Sequence, residues 1–200
     1  MSAKQPRQRR SQITEDRFLR AFDELLLSKG FSGTTIDEVA ELSGQTRSAF
    51  LKRFGSKQGA LEVLFERYCD MASETMSSAG RALDDAKAIL PYLAYLSQQY
   101  EFILLQHKAS NRAMHEHFLM NLEVHDLTKK IFRECVELMH MVQVRFLSDG
   151  EFTERGAWVA AQLLVTVNYN YVLEAMPAFP YDGDERHRLI ANLLNTCLRA

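Results

Sequence analysis

Apolar residues in this 200-residue chain recur mostly at spacings of three and four. Spacings of three and four place side chains on one face of an α-helix, whereas a half-buried strand requires alternation. The β-branched residues are scattered rather than clustered. The sequence therefore predicts an all-α protein.

The first predicted helix covers residues 14–29. Phe18 and Phe22 begin its apolar stripe, and Glu15 suits the positive end of the helix dipole. Gly30 is placed to end the helix, because glycine tolerates the left-handed conformation that many helix ends adopt.

Two shorter helices follow. Thr35 and Glu38 form a capping-box pattern that starts the first of them, and Gly44 is expected to end it. Thr46 can cap the next helix, and Ser56 can cap a longer one after it. Two short helices joined by a glycine-containing turn of about three residues are the sequence form of a helix-turn-helix.

The helix after Thr46 has the side chains that the DNA major groove requires. A recognition helix turns its first residues toward the base edges, and Arg47 and Ser48 follow Thr46 here. Arg47 can pair with guanine through two hydrogen bonds, worth roughly 1–3 kcal/mol of discrimination, and Ala49 can contact a thymine methyl group. The basic residues expected along the phosphates are Lys52, Arg53 and Lys57.

The charge distribution favours a polyanionic partner for this part of the chain. Residues 1–57 carry a net charge of +4 and the remainder −6, although the whole chain has only −2. A basic segment is the electrostatic footprint of nucleic-acid binding, but basic clusters are also common on solvated helix faces. Residues 1–12, with four basic residues and no acid, are expected to form a flexible arm that either contacts DNA or remains solvated.

Membrane and secreted proteins are poor matches. The longest uncharged run, residues 156–173, contains polar residues and is shorter than the roughly 20 apolar residues of a membrane span. No apolar segment follows the basic N-terminal residues, as a signal peptide would require. We therefore expect a cytoplasmic protein without membrane contact. The widely spaced cysteines, expected to be buried free thiols, are Cys69, Cys135 and Cys197.

Catalytic and metal-binding patterns are not found either. His115 and His117 are two residues apart, which places them on opposite faces of a helix and not on one face as in HExxH. No nucleophile elbow, phosphate-binding loop or dinucleotide fingerprint occurs. We expect no enzyme activity, no catalytic residue, no metal site and no cofactor.

Four sequence elements in register resemble the DNA-binding head of the TetR/AcrR family of bacterial transcriptional regulators. They are KGF at 29–31, TTIDEVA at 34–40, Gly44, and FGSK at 54–57. The resemblance covers residues 13–68. Three positions depart from the usual family pattern, which has an aliphatic residue at position 45, an aromatic residue at 51 and a proline at 55; this chain has Gln45, Leu51 and Gly55.

The resemblance implies an all-α homodimer with a three-helix head that binds operator DNA and a C-terminal domain that binds a small molecule. It implies an N-terminal arm at 1–12, a helix-turn-helix DNA-binding domain at 13–57, and a ligand-binding and dimerisation domain at 58–200. The implied base-reading residues are Thr46, Arg47, Ser48 and Ala49. The implied phosphate contacts are Thr35, Lys52, Arg53 and Lys57, and the predicted interface also includes Gln45.

The body is expected to contain helices at 57–79, 83–107, 114–147, 153–176 and 184–199. The expected breaks are at Gly80, near Pro91, at 148–150 and at 177–183; Pro91 can either begin a helix or kink one. The family resemblance assigns dimerisation to the last two helices. The alternative is that both lie in the core of a monomer.

Aromatic and methionine side chains between residues 60 and 175 are candidates for the lining of a ligand pocket. At helical spacing such residues are more often part of an ordinary core. Asn168 and Asn170 can orient a ligand or bond across a dimer. The candidate lining residues are Tyr92, Tyr95, Phe102, Met114, Phe118, Met139, Trp158 and Tyr169.

These expectations describe a regulator, and by family habit a repressor, that a small molecule releases from a palindromic operator by moving the helix at 57–79. The alternative is a helical small-molecule-binding protein that has lost DNA affinity. Gln45, Leu51 and the negative net charge are the observations that favour this alternative.

Overall fold

The computed structural model describes residues 5–118, 125–147, 153–173 and 183–199. Within these ranges the chain forms nine α-helices, one 3₁₀ turn at Leu83–Asp85 and no strand, which confirms the all-α prediction. The helices are α1 (Gln5–Gly33), α2 (Ile36–Ser43), α3 (Arg47–Phe54), α4 (Lys57–Ala82), α5 (Ile89–Gln106), α6 (Lys108–Phe118), α7 (His125–Phe146), α8 (Glu154–Val172) and α9 (Gly183–Leu198).

The chain forms two compact units. The first, the head, contains α1 to α3, the part of α4 up to Arg67, and α6. The second, the body, contains α4 from Tyr68 onward, α5, α7, α8 and α9. The head therefore extends beyond residues 13–57, because α4 continues without interruption from Lys57 and α6 packs on α1.

Aromatic residues hold α3 against α1 in the head. The Phe18 ring meets the Phe50 ring edge-on at 5.4 Å and the Phe54 ring edge-on at 5.9 Å, geometries that aromatic pairs prefer. Phe18, Phe22 and Phe50 are fully buried. The apolar stripe of α1 thus fixes the position of the recognition helix.

The helix-turn-helix forms as its caps predict. Thr35 and Glu38 complete the capping box of α2, and Gly44 ends the helix in the left-handed conformation with φ 66°. The Thr46 side chain accepts a hydrogen bond from the Ala49 amide at the start of α3. These caps satisfy backbone groups that helix ends would otherwise leave unpaired.

The N-terminal arm and the end of the first helix differ from the expectation. Residues 5–12 are helical rather than a flexible arm, because arginine and glutamine favour helix and Pro6 lies in the first turn, where proline is tolerated. Gly30 has φ 69° and kinks the chain, but helical residues continue to Gly33.

Two predicted breaks in the body helices are wrong. Gly80 lies within α4, where a Cβ atom would come within 3.2 Å of Met141 on α7. The glycine therefore permits close packing of α4 on α7. The sequence predicts one helix ending at residue 107 and a long one starting at 114, but α5 ends at Gln106 and α6 begins at Lys108. Pro91 lies in the first turn of α5, which confirms that it begins a helix.

The body core lies where α5, α8 and α9 pack together, with α7 against α8. Its fully buried residues include Leu96, Leu164 and Leu194. Gly156 brings α8 close to the end of α9, because a Cβ atom there would lie 2.9 Å from the Cys197 carbonyl oxygen. No helix in the described ranges has the length and apolarity needed to cross a bilayer.

Candidate nucleic-acid interface

The start of α3 presents a polar surface above a buried aromatic anchor. Thr46, Arg47 and Ser48 are exposed, and Ala49 is partly buried. Phe50 is completely buried and directs the other side of the helix into the head core. The four predicted base-reading residues therefore occupy consecutive positions at the N-terminal end of a firmly packed helix, the end that enters the major groove in helix-turn-helix proteins.

Arg47 is paired with an acid of the preceding helix. Its Nη1 atom donates to Asp37 Oδ2 at 2.7 Å, and the two side chains are 55% and 68% exposed. Ion pairs this exposed are screened and contribute about 0–1 kcal/mol. The guanidinium is therefore oriented by Asp37 but can be released at low cost.

Arg53 has a different environment at the other end of α3. It donates to both Glu15 and Ser11 on α1, and Glu15 also accepts from Arg67 on α4 at 2.9 Å. Arg67 in turn lies 2.9 Å from Asp16. The Arg53 and Glu15 side chains are only 26% and 27% exposed. This network braces α3 against α1 and α4, so Arg53 is less free for a phosphate contact than expected.

Lys57 is turned inward rather than toward solvent. Its Nζ atom donates to the carbonyl oxygens of Phe31 at 2.6 Å and Thr34 at 2.7 Å, and it lies 4.3 Å from the Phe31 ring centroid. Burial lowers the pKa of the Lys57 ammonium. Because an ammonium has three N–H donors, one donor remains for the predicted phosphate contact. The two observed hydrogen bonds hold Lys57 against the segment that joins α1 to α2.

Thr35 is also committed to local structure. Its hydroxyl donates to Glu38 Oε2 at 2.9 Å, and its backbone amide donates to the same oxygen at 2.9 Å. Lys29 pairs with the other carboxylate oxygen. The hydrogen bonds from Lys29 and Thr35 lower the pKa of Glu38 to about 2. The predicted phosphate contact by Thr35 would have to use a hydroxyl that already caps α2.

Lys52 and Gln45 complete the predicted set. Lys52 is exposed in the last turn of α3 and forms no ion pair with another described residue. Gln45 is partly buried in the turn, where its backbone N–H donates to the Ala40 carbonyl oxygen at 2.9 Å. Sequence reasoning does not find the acidic partners Asp37 and Glu15. Each of these acids is explained by the dipole of the helix on which it lies. No neighbouring residue in the sequence indicates that its partner is an arginine.

The candidate pocket residues do not gather at one place. Met114 is buried in the head on α6, so it is not part of the body core. Phe102 is 57% exposed and Trp158 is 51% exposed, and the Phe118 side chain lies outside the described part. Met139 is fully buried, as expected equally for core and for pocket.

Tyr92 and Tyr95 line a surface groove of about 310 Å³ together with Pro91 and the preceding turn. Tyr92 is buried and donates its hydroxyl to the Ala79 carbonyl at 2.8 Å. Tyr169 is partly buried, and burial raises its pKa to about 12. Tyr169 therefore remains neutral at physiological pH.

A buried polar network that the sequence did not predict joins α5, α8 and α9. Glu101 contacts Arg186 and lies 3.0 Å from His187 Nε2. Ser97 Oγ lies 2.9 Å from His187 Nδ1 and 3.2 Å from Asn168 Oδ1. Arg186 is 2% exposed and shares the inward face of α9 with the residues four and eight positions later, a register that identifies it as a buried position.

The two asparagines of α8 bond within the chain. The Asn168 amide donates to the Leu164 carbonyl at 2.8 Å, and the Asn170 amide donates to the Thr166 carbonyl at 2.8 Å. Asn168 is fully buried and completes its bonding through Ser97. Each of the two amide groups thus has at least one partner within its own chain.

Comparison with known proteins identifies the head. Residues 18–64 match the model of the family described as bacterial regulatory proteins, tetR family. The predicted resemblance of the head to the TetR/AcrR family is confirmed. The matched residues contain the entire helix-turn-helix, from the core of α1 through the first turns of α4.

Solved structures extend the TetR/AcrR likeness to the whole chain. A TetR-family transcriptional regulator from Mesorhizobium loti is 16% identical with a TM-score of 0.71, covering 94% of this chain and 96% of that one. A regulator of the TetR/AcrR family from Thermobifida fusca is 20% identical with a TM-score of 0.66, covering 90% and 95%. AibR, in complex with isovaleryl coenzyme A and operator DNA, is 14% identical with a TM-score of 0.63, covering 93% and 98%.

At these identities the comparison establishes a common fold of a helix-turn-helix head with a helical C-terminal domain. The chain has the fold of a TetR-family transcriptional regulator.

Proposed function

We propose that the chain binds double-stranded operator DNA sequence-specifically through α3 and that a small molecule bound by the body controls this binding. The observation that carries the proposal is the exposed Thr46, Arg47 and Ser48 turn above the buried Phe50. A helix that only packed would have no need for three consecutive exposed polar residues at its start, one of which is an arginine that its partner holds only weakly.

A homodimer follows from the same geometry. A single short α3 reads few base pairs, whereas two heads about 34 Å apart read a symmetric operator on one face of DNA. Exposed apolar side chains on α8 and α9, among them Trp158 and Leu193, support dimerisation through these helices. The buried network of α5, α8 and α9 gives the two helices a fixed register, which a self-complementary surface requires.

Regulation by a ligand requires only that the ligand prefers one arrangement of the two heads. The ligand can then change operator affinity by no more than the difference between its own affinities for the two arrangements. The helix α4 has residues in both units and is the covalent route for such a change. A FadR from Bacillus subtilis was solved with stearoyl-CoA and AibR with isovaleryl coenzyme A, so acyl-CoA thioesters are the first effectors to test. Release from DNA on binding would make the protein a repressor.

The second candidate is a small-molecule-binding protein with weak DNA affinity. It is favoured by the internal partners of Arg53 and Lys57, which leave fewer cations for phosphates. The two proposals differ in the sequence selectivity that they predict for DNA binding, because the remaining basic residues would still bind DNA without sequence preference.

Selection from a randomised duplex library at physiological ionic strength separates them. Enrichment of a palindrome supports the operator-binding proposal, and Arg47→Ala is then expected to lower operator affinity roughly 5- to 150-fold with the loss confined to particular base positions. Recovery of no preferred sequence, with binding that disappears smoothly as salt increases, favours the second candidate.

A further inference from the structure

We infer that Asp37 is a positioning residue that restrains operator binding: it acts as an exchangeable counter-ion for Arg47, and the pair opens at the operator but stays closed on unrelated DNA. The inference rests on the proposed function of α3. It starts from the observation that the two arginines of α3 have acidic partners of very different kinds.

The Arg53 pair is a brace. Its side chains are about one quarter exposed, and Glu15 binds a second arginine, Arg67, on another helix. Removal of one member would leave partly buried charge without its partner, which is costly. The brace is therefore expected to stay closed when DNA binds.

The Arg47 pair is an exchangeable contact. The pair spans two helices of the helix-turn-helix at 2.7 Å, with more than half of each side chain exposed. Asp37 has no other ion pair with a described residue. An exposed pair contributes little to the stability of the head. The position of this pair beside the proposed base-reading residues therefore matters more than its contribution to stability.

The neighbouring acid does not share this role. Glu38 is engaged by Lys29 and by the hydroxyl and amide of Thr35. It completes the α2 cap. Of the two acids, Asp37 is the one whose described partner lies on α3. Its negative charge is neutralised only while Arg47 remains paired with it.

The cost of breaking the pair depends on what replaces the carboxylate. Guanine offers Arg47 two acceptors in the geometry of a carboxylate, so a cognate site compensates the arginine in full. On unrelated DNA the arginine finds no guanine at the matching position and stays paired with Asp37. At the operator Arg47 leaves, and Asp37 becomes an unmatched negative charge near the phosphates, so removal of this charge favours the operator complex more than the unrelated one.

The test measures affinity for the selected operator and for an unrelated duplex of equal length at several salt concentrations. Asp37→Asn is expected to raise operator affinity roughly three- to tenfold and to change affinity for the unrelated duplex less, so the selectivity ratio rises. Asp37→Glu keeps the charge and is expected to retain selectivity.

Two matched controls isolate the pair. Glu41→Gln removes the same charge from an exposed position of α2 that forms no ion pair with a described residue, and it is expected to leave the ratio unchanged. In an Arg47→Ala background, Asp37→Asn is expected to change the ratio by less than about twofold, because the two residues act through one interaction. Thermal unfolding of each variant verifies that the head is folded, and Asp37→Ser is the alternative if the asparagine variant is not.

The inference is overturned if Asp37→Asn leaves the ratio unchanged or lowers it, if Glu41→Gln raises it equally, or if the effect persists without Arg47. These results leave the proposed function intact when the wild-type protein still selects an operator. A wild-type protein without any preferred sequence overturns the proposed function and the role of Asp37 together.

Discussion

Lys57 is the residue for which sequence and structure indicate different roles, and its replacement by methionine distinguishes them. Methionine retains an apolar stem beside Phe31 and removes the ammonium that donates to the Phe31 and Thr34 carbonyls. A role in phosphate binding predicts a loss of DNA affinity alone. The observed contacts predict a loss of head stability as well.

The magnitude follows from three contacts. Hydrogen bonds that involve a charged group contribute about 1.5–3 kcal/mol each, and a cation–π contact at an accessible site about 0.5–1 kcal/mol. The side chain is partly exposed and burial lowers its pKa, so desolvation offsets part of this gain. We therefore expect Lys57→Met to lower the free energy of unfolding of the head by about 2–3 kcal/mol, equivalent to roughly 1 M in the urea midpoint.

The assay is urea unfolding followed by far-UV circular dichroism, which reports helices of both units. Trp158 is the single tryptophan of the sequence and lies on α8, so its fluorescence follows the body separately. Lys52→Met is the matched control, because Lys52 is an exposed lysine of α3. Its replacement is expected to change stability by less than about 0.5 kcal/mol and to reduce the salt dependence of DNA binding by about one phosphate contact.

One result would refute the reasoning about Lys57. If Lys57→Met unfolds at the wild-type urea concentration and loses DNA affinity as Lys52→Met does, the ammonium serves the phosphates and the two carbonyl contacts contribute nothing measurable. A lower midpoint in circular dichroism with an unchanged Trp158 transition supports the structural role.

Two further predictions concern the body. Gly156→Ala would place a methyl group 2.9 Å from the Cys197 carbonyl oxygen and 3.0 Å from that of Leu198, so we expect a loss of about 1–3 kcal/mol, measured by the Trp158 fluorescence transition in urea; an unchanged midpoint would show that α9 moves away freely. Burial lowers the pKa of His187, with the Glu101 charge partly opposing it, so the folded state disfavours protonation. Stability is then present above the unfolded pKa of about 6.5 and falls as the pH decreases from there toward the folded pKa, and His187→Gln should reduce this pH dependence; identical pH profiles for the two proteins would contradict it.

Local patterns predict the head well because its decisive features are short-range. The capping box of α2 joins residues three apart, and the left-handed Gly44 and the Thr46 cap are each set within one turn. Such features depend on the backbone of a few residues, so the sequence alone specifies them. The order and bounds of the helix-turn-helix are accordingly recognisable from these residues.

The roles of the charged residues depend on partners far along the chain. Lys57 bonds to Phe31 and Thr34, 26 and 23 residues away, and Arg53 meets Glu15 at a separation of 38. No spacing rule connects such pairs, because they arise from packing of α1 against α3 and α4. Gly80 shows the same limit in the body, since its place within α4 is explained by Met141 on another helix.

The two arginines of α3 show why residue type and position in a motif are insufficient to assign a DNA contact. Both are basic residues of one eight-residue helix, and the sequence predicts that both face DNA. One has an exposed acidic partner and the other a half-buried network of three helices. The energetic difference between them lies in the cost of leaving the partner: small for Arg47, large for Arg53. A basic residue in such a head is therefore free to read DNA in proportion to how weakly its own protein holds it, and Arg47 meets that condition.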